Sequence, residues 1–267
     1  MTTPAMRNRR AVVTGASSGI GEAVVRALRG ADWDVVGVAR RADRLDALDA
    51  EVGSASFAAD LTREADVAAL AEHVASTGDV HALVHIAGGA RGTDRVEDGD
   101  PDDWRWMFEV NVLSAQLVTA ALLPLLRAGI ANSGDASPHA DALYVTSTAA
   151  QTAYPGGAGY NAAKAGEAML VHALRLELNG EPIRVTEIAP GMVYTPEFTL
   201  NRLGGDRAQA ESVYDGVEHP LVAADVADVI AYALNAPGHV NLDLVTMRPV
   251  AQSAQHLLAR GPLRPRT

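Results

Sequence analysis

Short runs of apolar, largely β-branched residues alternate with longer segments whose apolar positions recur at helical spacing, from Ala11 to Met247. The short runs predict strands at Ala11 to Thr14, Asp34 to Ala39, Ser56 to Ala59, Ala82 to Ala87, Ala142 to Ser147, Arg184 to Ala189 and Leu242 to Met247. Most are apolar throughout, which implies burial on both faces of a parallel sheet. Strand and helix in steady alternation predict one α/β domain, a doubly wound sheet of about seven strands with helices on both faces. The clearest helix starts at Asp100, where Pro101 suits the first helical position and Asp102 and Asp103 complement the helix dipole. It is expected to run through Asn111 to about Arg127. The segment from Gly129 to Ala140 reads as a surface loop, Gly191 to Gly216 as a lid, and about 1–8 and 251–267 as frayed tails.

Composition narrows the partners. The 267 residues include 22 basic and 33 acidic side chains, a formal net charge of −11, which disfavours nucleic acid and anionic membranes because both need clustered Lys and Arg. The absence of cysteine excludes disulfides and thiolate metal sites. His81 and His85 are four apart, but on a strand that separates them by about 13 Å, so no metal is expected there. The longest apolar stretch, Leu117 to Leu126, is about half of the ~20 residues a membrane span needs. Met1 to Arg10 has three arginines and no apolar core of a signal peptide, so a soluble cytoplasmic protein is expected.

Directly after the first strand comes Thr14-Gly15-Ala16-Ser17-Ser18-Gly19-Ile20-Gly21, followed by helical periodicity from Glu22. A strand-to-helix turn with little side-chain bulk lets backbone amides approach a pyrophosphate at the positive end of the helix. The spacing is G-x-x-x-G-x-G rather than G-x-G-x-x-G, and the glycines alone would also suit a tight turn. The end of the second strand selects the dinucleotide. An acid there would bind the ribose hydroxyls of NAD, but the chain has Ala39-Arg40-Arg41, and a guanidinium matches a 2′-phosphate. NADP(H) is therefore expected over NAD(H), with Arg40 first and Arg41 second. The alternative keeps these arginines solvated and makes Asp43 the ribose partner. Asp60, just past the third strand, is placed to accept from an adenine amino group or to cap the helix that follows.

Tyr160 and Lys164 lie four apart in a helical segment and so share a face. A tyrosine of ordinary pKa ~10 is a poor base at neutral pH, whereas a neighbouring ammonium and a nicotinamide charge favour the phenolate. Ser147 ends the preceding strand, where its hydroxyl can bond a carbonyl or alcohol oxygen.

Together these residues resemble the short-chain dehydrogenase/reductase family from about Arg9 to Pro249. The matching elements are Thr14-Gly15-x-x-x-Gly19-x-Gly21, Asp60, Ala87-Gly88, Asn111, Ser147, Tyr160-x-x-x-Lys164 and Pro190-Gly191-x-x-x-Thr195. The resemblance implies a Rossmann-type fold. It makes Tyr160 the acid and base, Ser147 the holder of the substrate oxygen, and Lys164 both the modulator of Tyr160 and a ribose ligand. It gives Asn111 a water that relays protons. It implies a cofactor site of Gly15, Ser17, Ser18, Gly19, Ile20, Gly21, Arg40, Arg41, Asp60, Leu61, Ala87, Gly88, Tyr160, Lys164, Pro190, Gly191, Val193 and Thr195. One departure is His85-Ile86-Ala87-Gly88, where the family usually has Asn-Asn-Ala-Gly.

Within the family the chain is most similar to the NADP-dependent 3-hydroxy acid dehydrogenases, including serine dehydrogenases. The similarity rests on Ala39-Arg40-Arg41-x-x-Arg44-Leu45, on Arg184-Val185-Thr186-Glu187-Ile188-x-Pro190-Gly191-x-Val193, and on His239-Val240-Asn241-Leu242 with Met247 and Pro249. It implies a small 3-hydroxy acid as substrate, with Arg202 as its carboxylate partner; the alternative for Arg202 is a solvated lid charge. Two other functions stay open: an NADPH-dependent reductase of neutral ketones or aldehydes, and a non-catalytic NADP-binding regulatory protein. The resemblance also implies a homo-oligomer, tetramer or dimer.

Overall fold

The computed structural model describes residues 9–134 and 138–265; the tail 1–8 lies outside the described residues. In chain order the first half comprises β1 (Arg10–Thr14), α1 (Gly19–Gly30), β2 (Asp34–Ala39), α2 (Ala42–Val52), β3 (Ala55–Ala58), α3 (Glu64–Thr77), β4 (Ala82–His85) and α4 (Pro101–Phe108). A π turn (Glu109–Leu113) joins α4 to α5 (Ser114–Asn132), and β5 (Ala140–Val145), α6 (Ala158–Glu177) and β6 (Ile183–Pro190) follow. The remainder is β7 (Val193–Tyr194), α7 (Phe198–Arg202), α8 (Arg207–Ser212), β8 (Leu221–Val222), α9 (Ala223–Asn235), β9 (Leu244–Met247), β10 (Gln252–Ala254) and β11 (Leu257–Leu258).

Seven strands make one parallel sheet in the order β3-β2-β1-β4-β5-β6-β9. The chain winds outward from β1 in one direction and from β4 in the other, so a crevice opens at their carboxyl ends, where such sheets bind ligands. Val24, Val25 and Leu28 of α1 pack with Leu45 and Leu48 of α2 and Val226 and Ile230 of α9 on one face. Leu70, Leu122, Leu126 and Val171, from α3, α5 and α6, cover the other. Each such side chain contributes about 1.5–3 kcal/mol by leaving water, which is why both strand faces read as apolar. Arg9 and Arg184 grip the buried Asp141 carboxylate at 2.8 and 2.7 Å, and Arg184 also donates to the Leu234 and Ala236 carbonyls at the end of α9.

The α4 start is as the sequence predicts: Asp100 accepts from the Asp102 amide at 2.8 Å and Pro101 follows it. The rod beyond it differs. It runs to Asn132 rather than Arg127, so the expected loop at Gly129 begins only after the helix ends. Gly129 is there for packing, since a Cβ would lie 2.1 Å from the Val80 carbonyl oxygen. The helix from Pro101 to Asn132 is long and apolar enough to cross a membrane, but Val118, Leu122 and Leu126 are buried against the sheet.

Two strand ends retreat because their last residues have other partners. Ile86 and Ala87 give their amides to Thr14 Oγ1 at 2.9 and 3.0 Å, and Ser147 caps the 3₁₀ turn Thr148–Ala150. The start of β9 also retreats, because the Asn241 side chain bonds both the amide and the carbonyl of Val185 in place of a strand neighbour. The tail expected to fray from 251 is instead ordered at its start. β10 pairs with β11, and the buried Gln252 accepts from the Met192 amide at 2.9 Å.

His85 is fully buried, and burial with the Lys164 charge pushes its pKa down to about 3. Its Nδ1 lies 3.3 Å from Thr14 Oγ1, so Thr14 joins the strand ends where the family's asparagines usually stand. A histidine held neutral in the native state but ordinary when unfolded stabilises the protein fully above about pH 6.5. That contribution is lost as pH falls toward 3, a loss on the order of 4 kcal/mol. His85→Asn should flatten the dependence of unfolding free energy on pH between about 6.5 and 4, measured by denaturant titration of both proteins. Parallel profiles would show that His85 does not carry the acid sensitivity.

Candidate active site

The glycine turn leaves β1 and enters α1 with Ser18 at the helix N-cap in extended conformation and no side-chain cap bond, so the first helical amides face the crevice. Gly21 fits because a Cβ there would sit 2.2 Å from the Gly15 oxygen, and Gly15 itself adopts φ +70°. Thr195 Oγ1 is buried at the same mouth and has no hydrogen-bond partner among the described residues. Free amides, an orphaned hydroxyl and absent side chains fit a bound pyrophosphate.

A cleft of about 1050 Å³ opens over this turn. Gly15, Ser17, Ser18, Gly19, Ile20, Gly21, Arg40, Arg41, Asp60, Leu61, Ala87, Gly88, Ser147, Tyr160, Pro190, Gly191, Val193, Thr195 and Arg202 all line it. Asn111 and Lys164 lie buried behind the lining. Asp43, the alternative ribose partner, is exposed on α2 away from the cleft.

The two arginines after β2 part company. Arg41 donates from Nη2 to Ser17 Oγ and Ser18 Oγ, both at 2.9 Å, and pairs through Nη1 with Glu197 at 2.9 Å. Arg40 is exposed, and its charge acts on Asp60. Asp60 accepts from the Thr62 amide and hydroxyl at 3.1 and 2.8 Å; burial opposes its charge, but these bonds with Arg40 and Arg63 hold it below its ordinary pKa. Glu197, which the sequence did not single out, reaches from the start of α7 to Arg41 and to Arg44 at 2.7 Å. Burial disfavours its charge too, yet the Arg41 and Ser18 hydrogen bonds and both arginines keep it below the usual carboxylate range.

Helix α6 positions Tyr160 and Lys164 on its buried face. Tyr160 lies beside Ser147, whose hydroxyl acts to lower the phenol's pKa, and packs edge-on against Phe198 at 5.7 Å. Ser147 Oγ also accepts from the Ala149 amide at 3.1 Å. Lys164 Nζ donates to the Val145 carbonyl at 3.2 Å and to Glu167 Oε2 at 2.7 Å. Asn111 sits in the π turn, whose extra residue per turn carries its amide toward Gly89. It donates to the Met107 and Gly89 carbonyls and accepts from the Gly89 amide at 3.1 Å. A Cβ on Gly88 would fall 2.5 Å from Asn111 Oδ1 and 3.3 Å from Lys164 Nζ, which requires glycine there.

Tyr160 is under opposing influences. Burial is the largest influence and raises its pKa; Lys164 and Ser147 lower it, Tyr154 and Glu167 raise it, and the phenol ends above its ordinary value. For Lys164, burial opposes the charge, but the Glu167 carboxylate and the other nearby acids hold the ammonium above its usual value. Glu167 was hidden in the sequence, although an acid three residues after Lys164 on an otherwise apolar helix face was the available signal.

Arg202 is no solvated lid charge. Its Nε, Nη1 and Nη2 donate to Gly92 O, Tyr154 Oη and Gly156 O at 3.1, 2.8 and 3.1 Å, and its guanidinium carbon lies 5.5 Å from the Tyr160 ring centre. At the cleft floor, Gly191 donates to the Met247 carbonyl at 2.7 Å, and Val193 O accepts from Tyr214 Oη at 3.0 Å. Among the described residues no three His, Asp or Glu side chains are grouped to hold a metal ion.

A nucleotide-sized crevice at the sheet's switch point, with a buried Ser–Tyr–Lys set beside it, defines an oxidoreductase of the doubly wound class. The family model for short chain dehydrogenase matches residues 9–202, and the chain belongs to that family. It is 49% identical over 264 residues to a protein of Mycobacterium tuberculosis described as an uncharacterized oxidoreductase, covering 99% of this chain and 100% of that one. It is 38% identical over 247 residues to serine 3-dehydrogenase of Rhizobium radiobacter, covering 91% and 94%. The closed form of a serine dehydrogenase complexed with NADP+ superposes with a TM-score of 0.85 at 30% identity, covering 95% and 100%.

Proposed function

We propose that the protein transfers hydride between NADP(H) and the hydroxyl-bearing carbon of a small anionic substrate, a 3-hydroxy acid such as serine or 3-hydroxypropionate. The observation that carries the anionic substrate is Arg202. A guanidinium has five N–H donors, and Arg202 directs three of them to protein oxygens, which leaves two for a carboxylate beside Tyr160. The serine dehydrogenase relatives agree with this reading.

When bound, the cofactor supplies the hydride chemistry. The chain supplies position and proton traffic. Ser147 holds the substrate oxygen, and Tyr160 gives it a proton on reduction or takes one on oxidation. Lys164 has one N–H left beyond Val145 and Glu167, which would bond the ribose, and Asn111 braces the Gly89 backbone beside it. Arg41, braced by Ser17 and Ser18, is the first candidate for the 2′-phosphate, ahead of Arg40. Exposed Phe108, Leu113, Met169 and Leu176 on α4 to α6 support a homo-oligomer, tetramer or dimer.

Arg202→Ala tests the substrate class. Losing a charge-assisted contact should raise KM for 3-hydroxy acids by about 20-fold while leaving neutral ketones little changed. Equal loss with both would assign Arg202 to lid packing, and good turnover of neutral carbonyls alone would favour the neutral-reductase reading.

A further inference from the structure

Glu167 is fully buried, makes one ion pair, to Lys164, and leaves Oε1 without a hydrogen-bond partner among the described residues. Removing a carboxylate from water costs several kcal/mol, and a leucine would fill the same space on this apolar face without that cost. An acid in this position therefore acts on its neighbour's charge rather than on packing. Lys164 is the cation that draws the proton from Tyr160, and at 2.7 Å the carboxylate turns that single charge into a dipole whose field at the phenol is weaker.

We propose that Glu167 is a positioning residue for the acid–base step: it counters the Lys164 ammonium, keeps Tyr160 a proton donor at neutral pH, and so favours carbonyl reduction over alcohol oxidation there. This rests on Tyr160 being the proton donor and acceptor. The surroundings are consistent with it. His85 on β4 is held neutral, and burial keeps the Tyr144 phenol on β5 protonated with Thr119 as its partner. Glu187 on β6 accepts from Thr146 and pairs at 2.8 Å with His172, which is 43% exposed on α6. Arg202 and Tyr154, both lining the cleft, also act on Tyr160, the guanidinium carbon 5.5 Å from its ring centre. Glu167 itself is pushed up to about 7 by burial, against the pull of Lys164. It is thus charged in the alkaline range where Tyr160 would otherwise release its proton.

The test uses cofactor-free protein first. Ultraviolet absorbance of tyrosinate, taken as the difference between each protein and its Tyr160→Phe counterpart, follows the Tyr160 phenol through a pH titration. Glu167→Gln should ionise about one pH unit lower than the wild type. The basic limb of kcat/KM for alcohol oxidation should move by the same amount, and Glu167→Asp should return it. A structural role alone would lower thermal stability and leave both titrations in place, which would overturn the proposal. If the glutamine variant does not fold, Glu167→Leu takes its place: the same downward shift of the Tyr160 ionisation is expected, and an unmoved titration overturns the proposal. Turnover that survives in Tyr160→Phe would instead remove the functional reading beneath it.

Discussion

Tyr160→Phe should lower turnover by about 10²- to 10⁴-fold, the usual contribution of a positioned acid or base, with NADPH affinity nearly unchanged. In the proposed mechanism the phenol passes a proton to an oxygen held by Ser147, and it is buried beside that serine. The ring keeps its edge contact with Phe198 in the variant, and the hydroxyl alone is lost. Lys164 stays tied to Val145 and Glu167, so its position is unchanged in the variant. Fluorescence titration with NADPH beside steady-state turnover separates the two effects. Loss of binding in proportion to turnover would mean the tyrosine serves the cofactor and not the chemistry.

The second large effect is on cofactor choice. Arg41→Ala should weaken NADPH binding by about 100-fold, the loss of a forked charge-assisted contact, and change NADH binding little. Arg41 is fixed by two serine hydroxyls from the glycine turn, so its guanidinium is organised before any phosphate arrives. Glu197 already pairs with Arg41 and Arg44; an anion there is what this corner of the cleft stabilises, and a 2′-phosphate would compete for the same donors. Arg40→Ala, which removes an exposed side chain, should have the smaller effect. The dissociation constants of NADPH and NADH for the three proteins check this, and an Arg40 effect larger than that of Arg41 would reverse the assignment.

Local chemistry made much of this readable in the sequence. The glycine turn, the Asp100 cap and the Tyr160–Lys164 spacing each depend on residues within one or two turns of one another, so chain order alone reveals them. Glu197 was not readable, because its partners Arg41 and Arg44 lie more than 150 positions earlier and meet it only once the chain folds. Gln252 was missed for a similar reason: the glycine- and proline-bearing tail looks unstructured until its glutamine finds the Met192 amide. Gly129 misled because glycine signals a break unless a neighbouring carbonyl needs the space. The higher pKa of Tyr160 required knowing that its helix face is buried and that Lys164 has a carboxylate partner.

The most direct test of the central claim follows NADPH absorbance when wild-type protein and Tyr160→Phe are each mixed with NADP and a 3-hydroxy acid, serine first. NADPH should accumulate with the wild type and form at least about a hundredfold more slowly with the variant, although both bind NADPH alike. Equal rates in the two proteins, or no nicotinamide turnover by cofactor-bound wild type with any hydroxy acid or carbonyl compound, would contradict it.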